Sequence, residues 1–378
     1  MHGDTLTTRT PNARGRNRSK PSRISHLVAL ASLWFLSFTP FSAAWLGGST
    51  GCGSSVASTG KGGGPPSCSP GGAGLTDCGA NRESCCTSLE VPGGTYFRTY
   101  DPPATDGGVM LAADGGPTGE ADPATVSGFR LDKYLVTVGR FRQFVNAVFP
   151  PDGGTGWLPA PGAGRHDHLN GGQGLANSGN PGTFEIGWDT SWNSSVAPTA
   201  ANLACQSLFD TWTSVPGSQE NLPINCVNWY EAYAFCIWDG GFLPSEAEWE
   251  YAAAGGDQQR EYPWGSTGPG TANQYAIYGN HYPGNSLNVA PVGTATLGVG
   301  LWGQLDMTGE LWESTLDWYA PYADPCTDCA DLTAASYRVI RGGAFADTAS
   351  ILFPAVRGNN SPPSDRGQFG GMRCARAP

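Results

Sequence analysis

Leu243-Pro-Ser-Glu-Ala-Glu-Trp-Glu-Tyr-Ala252 reads as a short helix whose start and stop are both visible. Ser245 and Glu248 stand three apart after Pro244, the spacing at which a hydroxyl and a carboxylate satisfy the free amides of a first helical turn. The predicted helix runs from Glu246 to Ala254 and ends at Gly255-Gly256, where a left-handed residue can close it. Just upstream, Trp229, Ala232, Tyr233, Cys236 and Ile237 recur at i, i+3, i+4, i+7 and i+8, which predicts a second helix with one buried face ending at Gly240-Gly241. Further back, Thr137 can cap a helix carrying Val138, Phe141, Val145 and Val148 that ends by Pro150. Elsewhere the apolar runs are strand-length, such as Tyr337-Arg-Val-Ile-Arg341 between turns. The expectation is an α+β domain with much irregular structure.

Composition agrees. The 378 residues include 55 glycines and 30 prolines, too many for a helical bundle or coiled coil. Charged residues make up 14% and hydrophobic ones 39%, with 13 Trp, 13 Tyr and 15 Phe, enough apolar surface for a sizeable core. Of the 21 basic residues six precede residue 52, so from Cys52 onward 15 bases face 31 acids. Such a surface repels phosphate backbones and argues against a nucleic-acid partner.

The basic stretch to Arg23 leads into twelve uncharged residues, Leu27 to Phe38, and the small-residue run Ser42-Ala43-Ala44, the layout of an export signal. Cleavage near Ala44 is one reading. Lipidation at Cys52, which follows Ser49-Thr50-Gly51, is the other. The expected organisation is a signal at 1–51, a flexible Gly/Ser/Cys-rich tether at 52–84 and one folded domain at 85–378. Gly-rich insertions at 101–125 and 151–183 are expected to be surface loops, and His166-Asp167-His168 an exposed polar segment rather than a metal site. Eleven cysteines fit an oxidising compartment: without Cys52 ten remain, enough for five bridges, and Cys326-Thr-Asp-Cys329 reads as a loop disulfide rather than a zinc pair.

The ordered set Phe129-Arg-Leu-Asp-Lys-Tyr134, Pro223-Ile-Asn-Cys-Val-Asn-Trp229, Leu243 to Ala252, Tyr262-Pro-Trp-Gly265, Asp306-Met-Thr-Gly-Glu-Leu-Trp-Glu313, Arg341-Gly-Gly-Ala-Phe345 and Gly371-Met-Arg-Cys374 resembles the formylglycine-generating enzyme family, the sulfatase-modifying factors. The resemblance implies an α+β fold with little regular secondary structure and a C-type-lectin-like core. It implies a disulfide between Cys236 and Cys374, and the absence of the family's other bridge, whose partner position is Ala253. In oxidase members two cysteines after the Arg-Gly-Gly-Ser motif hold copper(I), which soft thiolates suit. Here Ala344 stands for that serine and Asp347 for the first cysteine, and no cysteine lies between Cys329 and Cys374, so copper is not expected.

The family's calcium ligands are partly kept: Asn273, Glu310 and Glu313 offer oxygens, while Gly293 stands where a ligand Asp occurs. The family's peptide groove would be floored by Trp312, Ala344, Asp347 and Arg357. The functional expectation is therefore an exported protein, anchored by lipid or secreted, that binds a peptide, a small ligand or an envelope partner without oxidase chemistry. Rival expectations are an oxidase using Cys326 and Cys329 as a displaced copper pair, a siderophore-maturation type of periplasmic enzyme, and a structural envelope role.

Overall fold

The computed structural model describes residues 64–101, 118–283 and 288–378. The export signal and Cys52 lie outside them. Among the described residues the regular elements are β1 (Ser88–Val91), β2 (Gly94–Asp101), β3 (Thr118–Val126), β4 (Phe129–Asp132), α1 (Val138–Val148), β5 (Ala176–Asn177), α2 (Ala200–Leu203), α3 (Trp229–Trp238), α4 (Glu246–Ala254), β6 (Trp312–Trp318), β7 (Cys326–Thr327), β8 (Cys329–Ala330), β9 (Arg338–Arg341), β10 (Arg357–Ser361), β11 (Gly370–Gly371) and β12 (Ala375–Arg376). They form four small sheets, ordered β1-β4-β12, β10-β9-β6-β11, β2-β3-β7 and β5-β8. This is an α+β domain with modest regular structure, as the sequence predicts.

The three predicted helices are present, with their caps. Thr137 accepts from the Arg140 amide at 3.1 Å. Ser245 and Glu248 form the reciprocal box at the start of α4, and Gly255 closes it at φ 68°. A second box, Asn228 with Glu231, starts α3. One expectation changes: α3 is not buried on one face only, since Glu231, Ala234 and Phe235 are buried alongside Trp229, Ala232, Tyr233 and Cys236. Every residue of α4 is buried too. Both helices lie inside the domain, so their carboxylates must find cations there.

The expected tether is corrected over its described part. Residues 64–84 are folded onto the domain: Cys68 bridges Cys86 and Cys78 bridges Cys85. Buried Ser67 donates its amide to Asp239 (3.1 Å) and accepts from the Arg140 guanidinium (3.0 Å). Two crosslinks and a buried polar anchor offset the ordering entropy that a Gly/Ser-rich composition alone cannot. The loops also need correction. Residues 118–125 of the first insertion belong to β3, which pairs antiparallel with β2 and parallel with β7. The second insertion is irregular but packed, with His166, Leu169 and Leu175 buried and β5 paired to β8.

Candidate functional site

β6 organises the site because its side chains alternate. Glu313, Thr315 and Asp317 are buried toward α4, while Trp312, Ser314 and Trp318 are half-exposed on the other face. On the inner face every charge is engaged. Arg373 donates to both oxygens of Glu313, at 2.6 and 2.8 Å, and the Trp249 indole adds a third bond at 2.9 Å. Asp317 accepts the Glu246 and Asp331 amides, and burial pushes its carboxyl up to about 7. Arg341 donates to Glu246 and Glu250. Burial raises Glu250 to about 8 despite that pairing.

On the outer face, Trp312, Ser314 and Ile340 floor a groove of about 400 Å³, with Asp347, Asp365 and Phe369 at its edges. Gly358 of β10 is required there: a Cβ would sit 2.6 Å from Ile340 and 3.0 Å from Trp312. Arg366 also lines the groove, but its charge is spent on Glu231. The remaining Asp347 and Asp365 make the groove acidic.

Of the four residues expected to floor the groove, two line it. Trp312 and Asp347 do so. Asp347 also holds the Arg-Gly-Gly turn, accepting the Ala344 amide at 2.8 Å. Ala344 itself is 1% exposed, beneath the surface. Arg357 is turned inward: both oxygens of Glu246 accept from it, at 2.6 and 2.7 Å, and its guanidinium stacks on Tyr322. Arginine is long enough to reach the interior, and α4 offers a carboxylate that needs a second cation there.

All ten described cysteines are paired. Besides the N-terminal two, the bridges are Cys205–Cys226, Cys236–Cys374 and Cys326–Cys329. No thiolate is available to hold copper(I) among the described residues, so their donor set does not fit that metal. Asn273, Glu310 and Glu313 are not equally free to offer oxygens to calcium. Glu313 is consumed by Arg373 and Trp249. Glu310 accepts the Ala290 amide with one oxygen and leaves the other buried and unpartnered, and burial raises it well above the carboxylate range. Asn273 donates its Nδ2 to the His281 carbonyl and keeps its Oδ1 buried without a partner. Among the described residues no group of three or more His, Cys, Asp or Glu could hold a metal.

His166 is the residue that sequence reasoning placed most wrongly. Far from an exposed loop, it is fully buried, with Glu185 2.9 Å from Nδ1, Glu248 3.2 Å from Nε2 and the Phe242 ring tilted against it at 3.8 Å between centroids. Burial opposes its charge, but the two carboxylates outweigh it and push the imidazole up to about 10. The imidazolium is thus the counter-ion of α4's capping glutamate. The only signal was the glutamate itself, which a buried helix cannot carry unpaired.

The fold and site together define a disulfide-stapled α+β domain with an acidic surface groove and no thiol chemistry in it. Residues 76–378 match the family described as sulfatase-modifying factor enzyme 1-like domain, and the chain belongs to that family. It is 37% identical over 208 residues to the formylglycine-generating enzyme of Streptomyces coelicolor, covering 48% of this chain and 65% of that one. A hercynine oxygenase from Mycolicibacterium thermoresistibile is 36% identical over 167 residues, 40% of this chain and 35% of that one. The chain thus spans about two thirds of the first relative and about a third of the second. Among solved structures, PvdO from Pseudomonas aeruginosa superposes with a TM-score of 0.46 at 20% identity, covering 82% of this chain and 100% of that one.

Proposed function

We propose that this is an exported, lipid-anchored member of the family that binds a peptide segment of an envelope or secreted partner and does not oxidise thiols. The observation that carries this reading is the pairing of all ten described cysteines, which leaves the groove with an aspartate where the resemblance expects a copper thiolate. A groove with Trp312 and Phe369 as apolar surfaces and Asp347 and Asp365 as uncompensated acids suits an extended peptide with a basic residue beside an aliphatic or aromatic one. Five disulfides support maturation outside the reducing cytoplasm, and Cys52 behind an uncharged twelve-residue run supports the anchor.

Copper(I) titration of the oxidised and the reduced domain, followed by an oxygen-dependent aldehyde assay on a Cys-x-Pro-x-Arg peptide, tests the chemistry. No stoichiometric binding and no aldehyde are expected. Aldehyde from the reduced form would restore the oxidase reading with Cys326 and Cys329 as its pair. Loss of fatty-acid labelling in Cys52→Ser tests the anchor.

A further inference from the structure

Next to the groove, on the same face of β6 and β9, lies a second cavity of about 480 Å³. The groove uses Trp312, Ser314 and Ile340, whereas this cavity uses Leu316, Trp318 and Arg338. Its unusual member is Arg338. The side chain is 4% exposed and lies between two indoles, its guanidinium carbon 3.6 Å from the Trp229 ring centre and 3.7 Å from that of Trp318. One nitrogen donates to the Leu316 carbonyl at 2.5 Å, while Nε is buried with no partner.

No carboxylate bonds to Arg338 among the described residues. Asp317, the acid closest in sequence on β6, spends both oxygens on the amides of Glu246 and Asp331, on the strand's inner face. Glu185 also lines the cavity, with one oxygen tied to His166 and the other buried, bonding to neither Arg338 nor any other group. Burial without a counter-ion pulls Arg338 down to about 9. Every other fully buried arginine here has a partner: Arg140 has Asp132 and Asp239, Arg341 has Glu246 and Glu250, and Arg373 has Glu313. A buried guanidinium kept without an anion, in a cavity open to solvent, is a vacant half of an ion pair.

The surroundings narrow the anion. Of the aromatic residues in the wall, Trp229 and Tyr233 are buried, while half-buried Trp192 and Trp318 keep apolar surface for a ring. Asn180 and Thr183 are exposed in the lining; the Thr183 hydroxyl is spent on the Asn180 carbonyl, which leaves the Asn180 side-chain amide for ligand hydroxyls. With Nε buried and one terminal nitrogen given to Leu316, the other terminal nitrogen is left for an anion, and a carboxylate is a natural partner of a guanidinium. We propose that this cavity binds an acidic sugar, a uronic-acid residue whose carboxylate meets Arg338 and whose ring lies against the indoles.

The test is calorimetric titration of the disulfide-intact domain with digalacturonate and with the neutral digalactose. Digalacturonate should bind at least tenfold more tightly, with quenching of tryptophan fluorescence. Ala334→Glu places a negative charge on the exposed rim without touching the core and should weaken digalacturonate at least fivefold. Arg338→Met, checked for native near-UV circular dichroism, should abolish the acidic preference. Equal affinity for the two sugars, no binding of either, or indifference to Ala334→Glu would overturn the proposal. So would loss of sugar binding in Asp347→Ala, which would move the ligand to the groove. None of these outcomes depends on whether the groove takes a peptide.

Discussion

The two faces of β6 differ in one respect: inside, each charge has a partner, and outside, charges are left over. Glu313 meets Arg373 and Trp249, whereas Asp347 and Asp365 line the groove and buried Arg338 lines the cavity, none of them bonded to an opposite charge among the described residues. The inner face holds the fold together. The outer face keeps its groups available, which stability alone would not favour. The strand thereby separates a buried, hydrogen-bonded face from one that lines the groove and the cavity, within a span of seven positions.

The comparison can be broken most severely from within. Replacing Cys236 and Cys374 together by alanine opens a 138-residue loop and should lower stability by about 5 kcal/mol on the chain-entropy model, read from urea unfolding. Arg373→Met removes the partner of a fully buried glutamate and should cost about 3–5 kcal/mol in the same measurement.

A pH series sharpens the contrast. His166 titrates at about 10 when folded against an ordinary 6.5, so its stabilisation is complete below pH 6.5 and is lost as pH rises toward 10. Stability measured from pH 6 to 10 should fall more steeply in the wild type than in His166→Gln, which has no imidazolium to lose. Parallel slopes would show that His166 carries no charge in the folded domain. Smallest of all, Asp365→Asn on the outer face should change stability by no more than about 0.5 kcal/mol, while weakening capture of a basic peptide.

What could be read in the sequence was what neighbours in the chain decide. The caps at Thr137 and Ser245 and the stop at Gly255 are local hydrogen-bonding problems with local solutions, and those helices fall where they were expected. What escaped was decided at a distance. His166 depends on Glu248, 82 positions away, and Ser67 on Asp239, 172 positions away. Composition called both segments loop or tether because it cannot register partners brought in by folding. Arg357 escaped in the same way, since nothing near it signals an appetite for Glu246.

The sheet β1-β4-β12 has a consequence for the speed of folding. Its central strand β4 waits for Ala375–Arg376, and the ion pair that completes it joins Arg376 to Asp132 across 244 positions. Arg140, only eight positions from Asp132, can neutralise that carboxylate early. The second cation arrives only when a very long loop has closed. Such long-range pairing places the domain among slow folders, with the entropic barrier set by this closure rather than by its short helices. Refolding with disulfides intact should therefore be much faster than folding from the reduced chain, because Cys236–Cys374 already holds β12's neighbour beside α3.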